Sequence, residues 1–183
     1  IIDNETGYVR AIVGGRGKKE ASLTLNRATE TRRQPGSTFK IVSTYAPALD
    51  DQDMTLATVF DNAPYNYTNG VPVNNWAGSN AYTGLTTIRE AIAGSINVVA
   101  VKCLTRITPR LGFEYAEDLG ISTLYDDESL DVRQPLALGG ITDGVVNIEL
   151  CDAYATIANG GKYNEAKFYS RIEDSQGNVL IDN

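Results

Sequence analysis

The pattern of apolar and polar positions divides the chain into strand-like ends and a helical middle. Ile1-Ile2-Asp3 and Tyr8 to Gly14, two β-rich runs around the Gly-containing turn Asn4-Glu5-Thr6-Gly7, predict a β-hairpin. A polar loop follows, and Pro35-Gly36 opens a helix expected from about Ser37 to Leu49, with Pro47 bending its far end. Residues 50–85 are rich in Asp, Asn, Pro, Gly, Tyr and Thr without a helical period, which predicts extended loops with short strands at best. Thr87-Ile88-Arg89-Glu90 has the form of a capping box and starts a helix ending near Gly94. A second helix is expected from near Ser95 to Ile107. A third is opened by Thr108-Pro109 and stopped by Gly120, and a fourth runs over Asn147–Asn159, closed by Gly160-Gly161. The tail returns to strand at Tyr169–Glu173 and Val179–Ile181, around a turn at 174–178. Strands at both ends with helices between them predict an α+β domain.

Composition narrows what such a domain does. A chain of 183 residues with 42% hydrophobic and 21% charged residues matches one globular domain, residues 1–183. Apolar runs such as Ile96 to Val101 fall far short of the ~20 residues that cross a bilayer. No basic-then-apolar leader opens the sequence, so any export signal or anchor is expected outside it. A formal net charge of -7, with basic residues scattered apart from Arg16 to Lys19 and Arg32-Arg33, argues against nucleic acid as a partner. Histidine is absent, which removes the usual general base and the commonest metal ligand. Cys103 and Cys151 lie in apolar helical patterns without metal spacing and read as small buried hydrophobes. Asp126-Asp127-Glu128 reads as a solvated turn, and no cofactor or metal is implied.

Two short elements carry candidate chemistry. In Ser37-Thr38-Phe39-Lys40 a hydroxyl and an amine stand one helical turn apart, and a lysine of lowered pKa can take the proton of a serine nucleophile. At a helix start, free backbone N–H groups also favour developing negative charge. Chance supplies such a spacing about once in a chain this long, so read alone Ser37 is better taken as an N-cap and Lys40 as a solvated surface residue. Ser95-Ile96-Asn97 lies at a junction between helices, where a second hydroxyl can relay a proton and a carboxamide can hold a substrate amide and Lys40. Alone, it is an N-cap and a first-turn residue. Asn75-Trp76 and Tyr82 read evenly as groove-lining or structural.

Together the two elements form part of the S-x-x-K, S-x-N and K-T-G signature of penicillin-binding proteins. The surrounding residues extend the match: Asn26-Arg27-Ala28-Thr29, Arg33-Gln34-Pro35-Gly36 before Ser37, Tyr45-Ala46-Pro47-Ala48-Leu49, Thr87 to Ile92, Gly94 to Lys102, Ala137-Leu138-Gly139-Gly140 and Ala153 to Gly161. In that order and spacing the sequence resembles the transpeptidase domain of class A, bifunctional penicillin-binding proteins over nearly its whole length.

The resemblance implies a partial penicillin-binding, serine β-lactamase-like fold lacking the C-terminal sheet strands. It also implies a D-alanyl-D-alanine transpeptidase of peptidoglycan cross-linking that β-lactams acylate. By carry-over Ser37 is the nucleophile, Lys40 the base, Ser95 the proton relay, and Asn97 the ligand of the substrate amide and of Lys40. Implied partners are stem peptides ending in D-Ala-D-Ala, β-lactam antibiotics, and the remaining transpeptidase and glycosyltransferase domains of a membrane-anchored parent on the extracytoplasmic face. No Lys-Thr-Gly or Lys-Ser-Gly occurs; Glu5-Thr6-Gly7 reads as a turn. The expectation is therefore a nucleophile-bearing half that alone turns over little or no substrate. A non-catalytic β-lactam-binding or interaction module is the alternative. A serine β-lactamase ranks last, because no carboxylate poised to activate water is identifiable.

Overall fold

The computed structural model describes residues 1–78 and 81–183 in full and residues 79–80 by their backbone. It divides into two compact units: residues 1–32, 119–122 and 146–183 in one, residues 33–118 and 123–145 in the other. The chain passes from one to the other within the short strands β1 (Arg32–Arg33) and β6 (Val145–Val146), and again on either side of residues 119–122.

The larger unit holds the helices α1 (Ala46–Asp50), α2 (Ile88–Ala93), α3 (Asn97–Ile107) and α4 (Pro109–Asp118). Helix α3 is its centre, because Val98 to Val101 are apolar on every side and all are fully buried. Phe39, Val42 and Tyr45, Ile88 and Ala91, Phe113 and Ala116, and Leu136 are buried in the same unit. The strands β2 (Val59–Asn62) and β5 (Gly84–Thr87) pair antiparallel, with Phe60 opposite Thr86 and Asn62 opposite Gly84. A smaller ladder joins β3 (Tyr65–Asn66) to β4 (Pro72–Val73). Region 50–85 thus carries the short strands expected of it; their pairing is not readable from a polar sequence whose partners stand far apart along the chain.

The helix expected from Ser37 is present but unevenly wound. Gly36–Thr38 makes a 3-10 turn, Ile41–Tyr45 a wide π turn, and α1 completes it. Pro47 supplies the reason: it has no N–H to donate, and its ring crowds the carbonyl four residues back, that of Ser43. The expected bend is taken up as a widened turn before the proline. Gly112 of α4 packs on that carbonyl so closely that a Cβ there would lie 2.3 Å from Ser43 O.

The smaller unit contains α5 (Asn147–Ala158) and the hairpin of β7 (Arg171–Glu173) with β8 (Val179–Asp182). The expected N-terminal hairpin is reduced to one antiparallel bridge, Ile2 with Val9, and Tyr8 bridges Lys167 in parallel. Ile1 already faces Arg10, whose N–H it accepts at 2.9 Å, so residues 12–14 have no hairpin partner and Gly14 O turns instead to Arg27 N, also at 2.9 Å. No described helix is long and apolar enough to cross a membrane.

Candidate active site

Two turns of backbone create the site. The first is the 3-10 turn bearing Ser37, held from outside by Gly139, which has a φ of +70° and lies so close that a Cβ would come within 2.5 Å of Gly36 O. Only glycine combines that conformation with that approach. Gln34 adds a second clasp, accepting from Ile141 N at 3.0 Å and donating to Ile141 O.

The second is the corner between α2 and α3. Thr87 and Glu90 form the expected capping box at the start of α2: Glu90 N donates to Thr87 Oγ1 at 3.2 Å and Thr87 N to Glu90 Oε2 at 2.8 Å. The hydrogen bonds to Thr87 hold the Glu90 carboxyl below its ordinary value. Helix α2 ends with Ser95 N donating to Ile92 O at 3.1 Å and Ile96 N to Ala91 O at 2.9 Å. That is the Schellman pattern, in which the residue after the cap turns left-handed and is usually glycine. Here Ser95 fills it at a φ of +49°, with Gly94 one residue too early. A serine in that conformation costs about 1 kcal/mol, held by the surrounding structure.

Lys40 joins the two turns. Its side chain is buried, and Nζ donates to Ser95 O at 2.7 Å, Ser95 Oγ at 3.0 Å and Asn97 Oδ1 at 2.6 Å. Those acceptors take all three protons of an ammonium. Burial nevertheless dominates and pushes the Lys40 amine down from 10.5 to about 8. A neutral amine would keep two of these bonds and free a lone pair. Ser37 stands one turn earlier, exposed; no described hydrogen bond links it to Lys40. Lys40, Ser95 and Asn97 are therefore in contact, while Ser37 is joined to Lys40 along the helix and by no described hydrogen bond.

The comparisons with known proteins agree on the frame around this corner. The family described as "Penicillin binding protein transpeptidase domain" matches residues 1–182. The chain belongs to the penicillin-binding transpeptidase family. Penicillin-binding protein 1A of Clostridium botulinum is 35% identical across 100% of this chain and 22% of its own length. Penicillin-binding protein 1A/1B of Bacillus subtilis is 32% identical across 98% of the chain and 19% of its own. The chain thus spans about a fifth of these curated relatives. Among solved structures, penicillin-binding protein 1A from Haemophilus influenzae superposes with a TM-score of 0.72 at 25% identity, over 87% of this chain and 23% of that one. Penicillin-binding protein PonA1 from Mycobacterium tuberculosis gives a TM-score of 0.79 at 24% identity, over 99% of this chain and 47% of that one. The expected α+β transpeptidase fold is thereby established.

Within this family member, the other residues singled out from sequence divide clearly. Asn75 is buried beside Asn97, whereas Trp76 is 77% exposed with its Nε1 donating to Gly94 O at 3.2 Å. Asp127 folds onto Ser129 in a local turn; no group of three or more metal-ligating side chains occurs among the described residues. Cys103 is buried and its thiol is pushed up to about 12 by desolvation; Cys151 is half-buried. Asn62, fully buried on β2 and bonded to Asn75, was not anticipated. Its signal is the alternation of Val59-Phe60-Asp61-Asn62, which puts a carboxamide on the same inward face as Phe60.

Proposed function

We propose that this chain carries the nucleophile half of a D,D-transpeptidase that cross-links peptidoglycan. Ser37 Oγ attacks the carbonyl of the penultimate D-alanine of a stem peptide, and its proton passes to the Lys40 amine. Ser95 relays that proton to the departing nitrogen, so the terminal D-alanine leaves as a free amino acid and an ester remains on Ser37. An acceptor amine from a neighbouring stem then attacks the ester, forming the cross-linking amide and returning the serine hydroxyl. Asn97 holds the substrate amide while fixing Lys40. A β-lactam enters the same first step by opening its ring on Ser37, with no fragment to leave. The parent protein acts on the extracytoplasmic side of the membrane, anchored there, beside glycosyltransferase and further transpeptidase segments.

What supports this reading is the buried Lys40 amine, with a value near 8, bonded to both Ser95 and Asn97. A base poised near the working pH is what proton abstraction from a serine needs. No carboxylate among the described residues enters that hydrogen-bond network, which favours a persistent acyl-enzyme over hydrolysis. The test is labelling of the full-length parent with a fluorescent penicillin, with the adduct located by peptide mass spectrometry. A stable adduct on Ser37, absent from Ser37→Ala, is the expected result. Label elsewhere, no label, or label shed within minutes overturns it.

A further inference from the structure

Behind the Lys40 corner lies a row of three asparagines. Asn62, fully buried on β2, donates to Ala81 O at 2.7 Å and Thr83 Oγ1 at 3.0 Å. Its Oδ1 accepts from Asn75 Nδ2 at 2.9 Å, and Asn75 itself is 5% exposed. Asn75 Nδ2 also reaches Ala81 O at 3.3 Å, so its donor side is tied to the β2–β5 end of the unit. That fixes which way its carboxamide faces, and its Oδ1 then accepts from Asn97 N at 3.0 Å and Val98 N at 3.1 Å.

Those two amides are the first of α3, whose own capping position, Ile96, offers no side-chain acceptor. Asn75 therefore caps the helix from a loop 22 residues earlier, in the place a serine or aspartate in sequence would normally fill. The neighbouring backbone orients the carboxamide of Asn97 as well. Asn97 Nδ2 donates to Asn74 O at 2.8 Å, which leaves Asn97 Oδ1 directed at Lys40 Nζ. The Asn74-Asn75 dipeptide thus holds Asn97 at both its backbone amide and its side chain.

We infer that Asn75, anchored by Asn62, is a positioning residue for the reaction: it caps α3 and sets the carboxamide of Asn97, and through it the amine of Lys40, in the geometry that acylation requires. This rests on the transpeptidase reading above. A displacement of the order of 1 Å at such a residue costs up to about 100-fold in rate, and a looser supporting contact costs less.

The test uses the full-length parent and follows acylation by a fluorescent penicillin over time, taking amplitude and rate constant separately. Amplitude reports how much protein is folded; the second-order rate constant reports the site in the folded fraction. For Asn75→Ala the expected result is a rate constant lowered roughly 10-fold or more. Asn75→Asp keeps the acceptor for both helix amides, so it recovers much of that rate. Its added negative charge near the Lys40 ammonium also moves the acid limb of the rate profile to higher pH. Unchanged rate constants in both variants, with only amplitude or melting temperature reduced, overturn the inference. Should Asn75→Ala leave no labelled protein, Asn75→Asp decides alone: a wild-type rate constant with a wild-type acid limb overturns it, and a shifted limb supports it. Failure of the transpeptidase reading looks different, because the unmodified parent then gives no Ser37-dependent label.

Discussion

The two units of the molecule bury their charged groups differently. In the larger unit, Lys40 and Asn75 sit behind helices with their hydrogen-bonding groups engaged, and an apolar core from Phe39 to Leu136 closes around them. In the smaller unit, Asp152 is buried with Oδ2 accepting from Ala166 N at 3.1 Å and Oδ1 without a partner. Several of its large apolar side chains also stay outside, Val13 at 80% and Leu180 at 63% exposed, although Ile121 and Ala153 are buried. A helix can bury one stripe on another helix, whereas a two-stranded hairpin such as β7–β8 has two faces and little of its own to cover them. The larger unit is therefore where a charge can be held away from water at a chosen pKa. The smaller unit bears a buried charge that no step of the proposed reaction uses.

Four substitutions break or sharpen that contrast. Lys40→Ala removes the amine and should slow Ser37 acylation of the parent by roughly 1,000-fold, within the usual range for losing a general base. A tenfold loss or less, in the same fluorescent penicillin assay, would assign the proton transfer elsewhere. Gly112→Ala drives a methyl against Ser43 O and Leu104 in the larger unit, and an overpacked core at backbone contact costs about 3 kcal/mol. A melting temperature within a degree of wild type would show that α4 crosses the π turn with room to spare.

Asp152→Asn in the smaller unit should act in the opposite direction. Burial, reinforced by Glu165 and Glu149, raises the Asp152 carboxyl from 3.8 to about 6. A carboxyl raised on folding binds more protons in the native state between those values, so its cost is absent below about pH 4 and complete above about pH 6. The amide should stabilise the protein at pH 7 by roughly 1–3 kcal/mol, with the gain vanishing by pH 4. Melting curves at the two pH values check this, and an equal effect at both would exclude titration as its source. Ser95→Gly gives the smallest change in stability, neutral to about 1 kcal/mol favourable, because glycine takes the left-handed position without strain. It should nevertheless slow acylation, since the hydroxyl that meets Lys40 is gone. Loss of stability would mean that the hydroxyl's bond outweighs the backbone strain.

The same division explains what was legible in the sequence. Helices α2 to α5 follow from local signals, such as the Thr87–Glu90 box and Pro109, that act within one or two turns. The contact of Lys40 with Ser95 and Asn97 followed from the resemblance, since no spacing rule links positions 55 residues apart. The N-terminal hairpin shrank to a bridge because a strand's length depends on what lies opposite it. The left-handed Ser95 and the π turn before Pro47 were hidden because each departs from the local rule: one puts serine where glycine is cheaper, the other widens a helix instead of kinking it.

Lys40 acting as a neutral amine, held near pH 8 by burial, is the step on which the proposed chemistry turns. Its most direct measurement is the rate constant for Ser37 acylation of the parent by a penicillin, followed from mildly acidic to alkaline pH. A lowered lysine value predicts a rate that climbs about tenfold per pH unit in the acid range and levels near pH 8. A rate flat across neutral pH, or one still climbing at about pH 10 toward an unperturbed lysine, would contradict it.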